Sequence, residues 1–245
     1  FQYAKKRSTS YYLLRLIKAG IEIYRPETCF KENIFYQMRF YDVAEYLLTV
    51  ENLNLNRTDT GFMPLHSIIE NFDLPLVIKY IKKGANPLIK SDTHKVSTLV
   101  VALCYKKYDI LEYLLINYGE FLINYLDDYD ESALYKAVHY SDLKAVEILL
   151  NYKPNPRLGK SCLEESLKRF SKENKYTNEK IIKLLLNAGC EINKEALEII
   201  ERPYYLDIKN IIYEHINKIK TQVEEVKRNL KIKNNLIRKV YNIFK

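Results

Sequence analysis

Few residues in this sequence could do chemistry, and His66, in the stretch "GFMPLHSIIE", is the histidine whose setting raises the question. A general base needs an acid or a nucleophile fixed beside it, and no such partner can be named here. A metal site needs clustered Cys, His or carboxylate ligands. Cys29, Cys104, Cys162 and Cys190 stand far apart, with no C-x-x-C pair, and read as small apolar thiols of a helical core in a reducing compartment. His94 falls on a loop tip, His139 on a helix face beside Tyr140 and His215 near a C-terminal segment, and they form no ligand set. The acidic run "LDDYDES" from Leu126 lacks the central glycine of a calcium loop and reads as a solvated tip. Glu164 and Glu165 are helix neighbours on different faces and cannot flank one scissile bond. No Gly-rich phosphate loop, nucleophile elbow or H-E-x-x-H occurs. The chain is therefore expected to be no enzyme, with no cofactor, no metal and no small-molecule substrate.

The elements that would position these residues are helices. Hydrophobic residues make up 47% of 245, enough for a packed core, while Gly 6 and Pro 7 are too few for a turn-rich sandwich or barrel. Lys, Asn, Ile and 22 Tyr dominate and Trp is absent, a bias that AT-rich codons produce. No apolar run approaches the roughly 20 residues of a membrane span. The chain opens "FQYAKK", without Met or a signal peptide, and is expected to be a fragment whose natural N-terminus lies upstream.

One pattern recurs along the chain: an apolar helical stretch, often a glycine, then a polar extended segment. It appears as "LLRLIKAGIEI" from Leu13, "VAEYLLTVENLNLN" from Val43, "LVIKYIKKGANPL" from Leu76, "ILEYLLINYGEFLIN" from Ile110, "AVEILLNYKPNP" from Ala145 and "IIKLLLNAGCEIN" from Ile181. Gly20, Gly84, Gly119 and Gly189 fall where each helix should end in a left-handed residue. Ahead of the later copies stand shorter stretches, "MPLHSII", "STLVVAL", "SALYKAV" and "SCLEESL", whose Ser97, Ser132 and Ser161 suit an N-cap and whose Pro64 suits the first turn. Each unit is helix, turn, helix and protruding loop, with a period close to 34 residues.

That order and period resemble the ankyrin repeat. "MPLH" stands for the family's T-P-L-H and "KKGANP" for its G-A-D/N, and the likeness covers most of residues 10–215. The unit from Pro26 to Asn56 lacks the first-helix motif, and the unit at Ser161 carries the polar insertion "FSKENKYTNEK". The resemblance implies that His66 is scaffolding that ties backbone groups of adjacent repeats; the equivalent positions hold Val100, Tyr135 and Glu164. It implies an all-α ankyrin-repeat solenoid over residues 1–215, of six to seven units with the first truncated. It also implies a protein partner held on a concave face of first helices and loop tips. The first-helix positions expected to be exposed are Ser67, Glu70, Asn71, Val101, Cys104, Tyr105, Lys136, His139, Tyr140, Glu165, Lys168 and Arg169. Loop tips add Arg57, Asp59, Lys90, Asp92, His94, Asp128 and Tyr129, and Tyr105, Tyr129 and Tyr140 are the expected anchors.

The C-terminal segment, residues 216–245, is expected to be a basic amphipathic helix. From 217 to 245 nine Lys or Arg stand against Glu224 and Glu225, a net +7 of the whole chain's +8. Ile216, Ile219, Val223, Val226, Leu230, Ile237, Val240 and Phe244 follow three-then-four spacing, broken only by Lys233. Such a stripe must be covered, and three roles fit: one or two helices capping the last repeat, a coiled coil, or a helix on an anionic membrane or nucleic acid. Beside the protein-binding scaffold, two further readings therefore stay open: a polyanion binder acting through 217–245, and the targeting arm of a larger enzyme. The degenerate repeats also look like ankyrin proteins of poxviruses and some intracellular bacteria, which engage host defence or ubiquitin machinery. A cytoplasmic location, including the host's cytoplasm, follows from that likeness. The F-box-like tail with L-P-x-E, found in many poxviral members, is not visible after Asn217.

Overall fold

A computed structural model describes residues 41–51, 53–56, 63–91, 95–171 and 173–243. The copy at Leu13, with Gly20, lies outside these residues, as do Cys29, Arg57, Asp59, Asp92 and His94. The described chain is helical, with one isolated antiparallel bridge, Leu126 to Ser132, and no strand among its described residues. The helices are α1 (Tyr41–Leu47), α2 (Pro64–Asn71), α3 (Leu74–Lys82), α4 (Thr98–Cys104), α5 (Tyr108–Leu122), α6 (Ala133–His139), α7 (Leu143–Asn151), α8 (Cys162–Lys168), α9 (Lys175–Asn187), α10 (Lys194–Ile200) and α11 (Leu206–Ile243). Two compact units divide between Cys162 and Leu163.

Local chemistry sets the helix starts. Ser97 accepts from the Val100 N–H and Ser132 from the Tyr135 N–H, satisfying donors that a first turn leaves bare. Pro64 occupies the first turn of α2, where its missing N–H costs nothing. Between α4 and α5 and between α6 and α7 the tight turn holds one left-handed residue, Lys106 at φ 54° and Ser141 at φ 51°. Gly84 and Gly189 end α3 and α9 at φ 109° and 87°, values that L side chains rarely adopt.

Gly119 is different. It lies inside α5, which continues to Leu122, and does not end it. The extension buries Leu122 and Ile123, and that burial outweighs the helix-ending tendency of the glycine.

In the first unit, α2 packs against α3, α4 against α5 and α6 against α7, while the first helices α2, α4 and α6 lie side by side. The core between them is aliphatic: Ile68, Ile69, Leu99, Leu103, Ile110, Leu111, Leu114, Leu134 and Leu149 are all buried. Tyr80, fully buried, donates its hydroxyl to the Ala44 carbonyl at 2.7 Å, so its polar atom is satisfied in the repeat before.

The protruding loops are stitched by asparagine. Asn56 donates to the Gly84 carbonyl at 2.9 Å and accepts from the Asn86 N–H at 2.7 Å. Asn124 accepts from the Asn155 N–H at 2.7 Å in the same way. Gly159, at φ 71°, lies so close to the preceding loop that a Cβ there would meet the Asp130 carbonyl oxygen at 2.3 Å.

In the second unit, the polar insertion is partly helical, since α9 begins at Lys175 inside it and buries Asn178, which donates to the Arg169 carbonyl at 3.0 Å. The C-terminal helix begins at Leu206, well before the expected start at 216. Its opening turns cover the apolar flanks of α9 and α10 through the buried Ile208 and Ile212. Tyr205, just before it, donates to the Leu167 carbonyl at 3.1 Å. From Ile219 to Ile232 the apolar residues of α11 are exposed.

Candidate protein-binding surface

Repetition places equivalent side chains in rows. Asn71, Tyr105 and Tyr140 stand at the C-terminal ends of successive first helices, with Glu70, Cys104 and His139 one position before them. Both tyrosines lean back on the preceding repeat. The Glu70 carboxylate acts on the Tyr105 hydroxyl, and the Cys104 thiol lies 3.7 Å from the Tyr140 hydroxyl. Yet their rings are about half open, at 47% and 52% exposure. A hydroxyl set against the preceding repeat restrains each ring before anything binds, so less rotamer freedom is lost on contact. Desolvation first, then Glu70, pushes the Tyr105 hydroxyl up to about 12, and Tyr140 is raised by the thiol contact and then by desolvation. Both hydroxyls stay protonated at neutral pH.

His139 extends the row. Its ring stacks on Tyr135 at 6.3 Å between centroids and meets Tyr140 edge-on at 5.3 Å. At the loop tip, Tyr129 is 50% exposed and its N–H donates to the Asp127 carboxylate at 2.9 Å. Lys160 lies 6.0 Å from the Tyr129 ring. Lys90 is half-buried with its ammonium 3.4 Å over the Tyr125 ring, a contact that holds the loop.

Several expected contact residues are engaged elsewhere. Lys136 has a side chain only 18% exposed, because its ammonium bridges Asp127 at 3.2 Å and also pairs with Glu131. Burial alone would lower its pKa, and the bonds to Glu131 and Asp127 outweigh that and raise it. Asp127 is buried and accepts from the Tyr129 and Glu131 N–H groups, so the acidic tip is organised by one carboxylate; only Asp128 and Asp130 face water. Ser67 and Glu165 are buried rather than exposed. Cys104 is exposed on the row, unlike the buried Cys162 and Cys190, and burial pushes the Cys190 thiol up to about 12. Arg169 is exposed in the second unit and pairs with Glu165 at 2.9 Å. Asp92 lies outside the described residues.

His66 faces inward. The Ile89 carbonyl in the following loop accepts a hydrogen bond from its ring, and Nε2 is buried with no partner among the described residues. Burial lowers its pKa to about 4, so the ring is neutral near pH 7. Among the described residues, no group of three or more His, Cys, Asp or Glu could hold a metal ion, and no helix is long and apolar enough to cross a membrane.

Sequence reasoning missed the asparagine stitches and the Gly159 contact. Their partners lie in adjacent repeats, some 30 residues away, and local pattern carries no sign of them.

Helix pairs repeated at about 34 residues, with finger loops between, define an ankyrin-repeat fold. Two solved structures are similar to this chain. One is the ankyrin repeat protein EF0377, at 19% identity, a TM-score of 0.60, and coverage of 74% of this chain and 96% of that one. The other is an ankyrin repeat domain, ABAYE2397, from Acinetobacter baumannii, at 17% identity, a TM-score of 0.58 and coverage of 74% and 96%. No family model matches the sequence, and no curated protein matches it either.

Proposed function

We propose that this protein is a non-catalytic interaction scaffold that grips a partner protein on the row of Tyr105 and Tyr140, with His139 beside them and Tyr129 at the neighbouring loop tip. The observation that carries this reading is the pairing of exposure with fixation. Two large amphipathic rings stand half open while their hydroxyls are tied to the preceding repeat. Rigid aromatic side chains of that kind supply much of the binding energy of protein interfaces. Lys136 serves by holding the loop tip in place, and Lys90 does the same through Tyr125. The resemblance of these degenerate, Lys-, Asn-, Ile- and Tyr-rich repeats to ankyrin proteins of poxviruses and intracellular bacteria makes a host factor the partner proposed.

The test is Tyr105→Ala with Tyr140→Ala in the full chain, read by quantitative affinity capture and by thermal unfolding. The expected result is loss of the captured partner, with a Tm close to that of the unmodified protein. Retained capture by the double variant would assign the partner to another face.

A further inference from the structure

The second unit carries a separate apolar surface that the tyrosine row does not explain. Beyond its buried opening turns, α11 exposes Ile219, Val223, Val226 and Leu230 at 44%, 47%, 57% and 53%. With Ile212 and Ile216 before them they step by four and three without a break, and the sequence resumes the same steps at Ile237 and Val240 within the one helix. A strict seven-residue repeat makes a narrow seam that keeps facing a partner helix. A helix lying on a membrane needs a wider apolar face. Residues 217–243 extend roughly 40 Å at 1.5 Å per residue, about four heptads.

The charges beside the seam choose its occupant. One flank holds Lys220 and Lys227, and the other holds Gln222 and Asn229. Lys233 occupies a seam position itself. Lys220 and Lys233 have no ion pair among the described residues, and Lys227 has only the exposed pair with Glu224 at 2.8 Å, which exchanges easily. Parallel in-register pairing with a second copy would set Lys233 against Lys233, and any self-pairing would bring together two segments of net +7. A nucleic acid would satisfy the lysines and leave the seam wet. We propose that this face docks an acidic amphipathic helix of a partner protein as an intermolecular coiled coil, with partner carboxylates meeting Lys220, Lys227 and Lys233. Such a contact is additional to the tyrosine row and independent of it.

The probe is a synthetic four-heptad peptide with Ile and Leu on its seam and Glu on both flanks, titrated into the full chain and followed by fluorescence anisotropy. A twin with Lys on the flanks is the control. The expected result is binding of the acidic peptide alone, weakening as salt is raised. Val223→Asp with Val226→Asp should lower its affinity at least tenfold, while thermal unfolding is unchanged because both side chains are already exposed. Tyr105→Ala with Tyr140→Ala should leave peptide binding intact, which separates failure of this proposal from failure of the scaffold reading. Equal binding of both peptides, no binding of either, or a stable dimer of the chain that Val223→Asp dissolves would overturn it. So would binding of anionic vesicles that Val223→Asp with Val226→Asp abolishes.

Discussion

Protonating His66 should destabilise the first unit over a defined pH window. The ordinary imidazole value is 6.5 and burial lowers this one to about 4, against a smaller opposing effect of the Ile89 carbonyl. Between those values the unfolded chain takes up a proton that the folded chain refuses, so stability falls as the pH drops from 6.5 towards 4. At about 1.4 kcal/mol per pH unit the loss reaches about 2 kcal/mol near pH 5 and about 3 kcal/mol near pH 4. That is a large share of the roughly 5–15 kcal/mol that holds a typical domain. The assay is urea unfolding at a series of pH values for the unmodified chain and for His66→Gln, which cannot titrate. Carboxylates whose pKa is lowered in the fold, such as Glu131, lose stability in both proteins at the acid end and cancel in the difference. The difference in unfolding free energy should shift by about 2 kcal/mol between pH 7 and pH 5. Parallel profiles for the two proteins would refute a buried, neutral His66.

Other substitutions separate the glycines and the caps. Gly159→Ala should destabilise the first unit by more than about 2 kcal/mol, because its new Cβ meets the Asp130 carbonyl and φ is positive. Gly119→Ala should stabilise by about 0.5–1 kcal/mol, since the site is helical and a Cβ there meets only Leu115 and Tyr152 at ordinary distances of 3.9 and 4.0 Å. Ser132→Ala should cost about 1 kcal/mol by freeing the Tyr135 N–H, with binding unchanged. Denaturant midpoints check all three.

How far the sequence carried depends on the range of each interaction. Ser97, Ser132 and Pro64 are legible because a cap is chemistry within three residues. Gly84 and Gly189 are legible because a left-handed turn needs them, while Gly119 misleads because the decision there is made by burying Leu122 and Ile123. Tyr105 and Tyr140 could be placed at the ends of first helices from motif alignment alone. The ties that fix them, to Glu70 and Cys104, run between repeats and could not. Lys136 reads as a surface lysine until Asp127 folds in beneath it. The basic helix reads as a possible cap throughout, yet its opening turns alone do that work, leaving the stripe beyond them open.

Site-specific photocrosslinking reaches the scaffold claim most directly. A benzophenone side chain would be placed in turn at 105 and 140 and, as controls, at the exposed Glu112 and Glu147 of the second helices. A single discrete adduct of the same mass from both tyrosine positions, absent from both controls, is the predicted result. Adducts from Glu112 or Glu147, with none from 105 or 140, would contradict it.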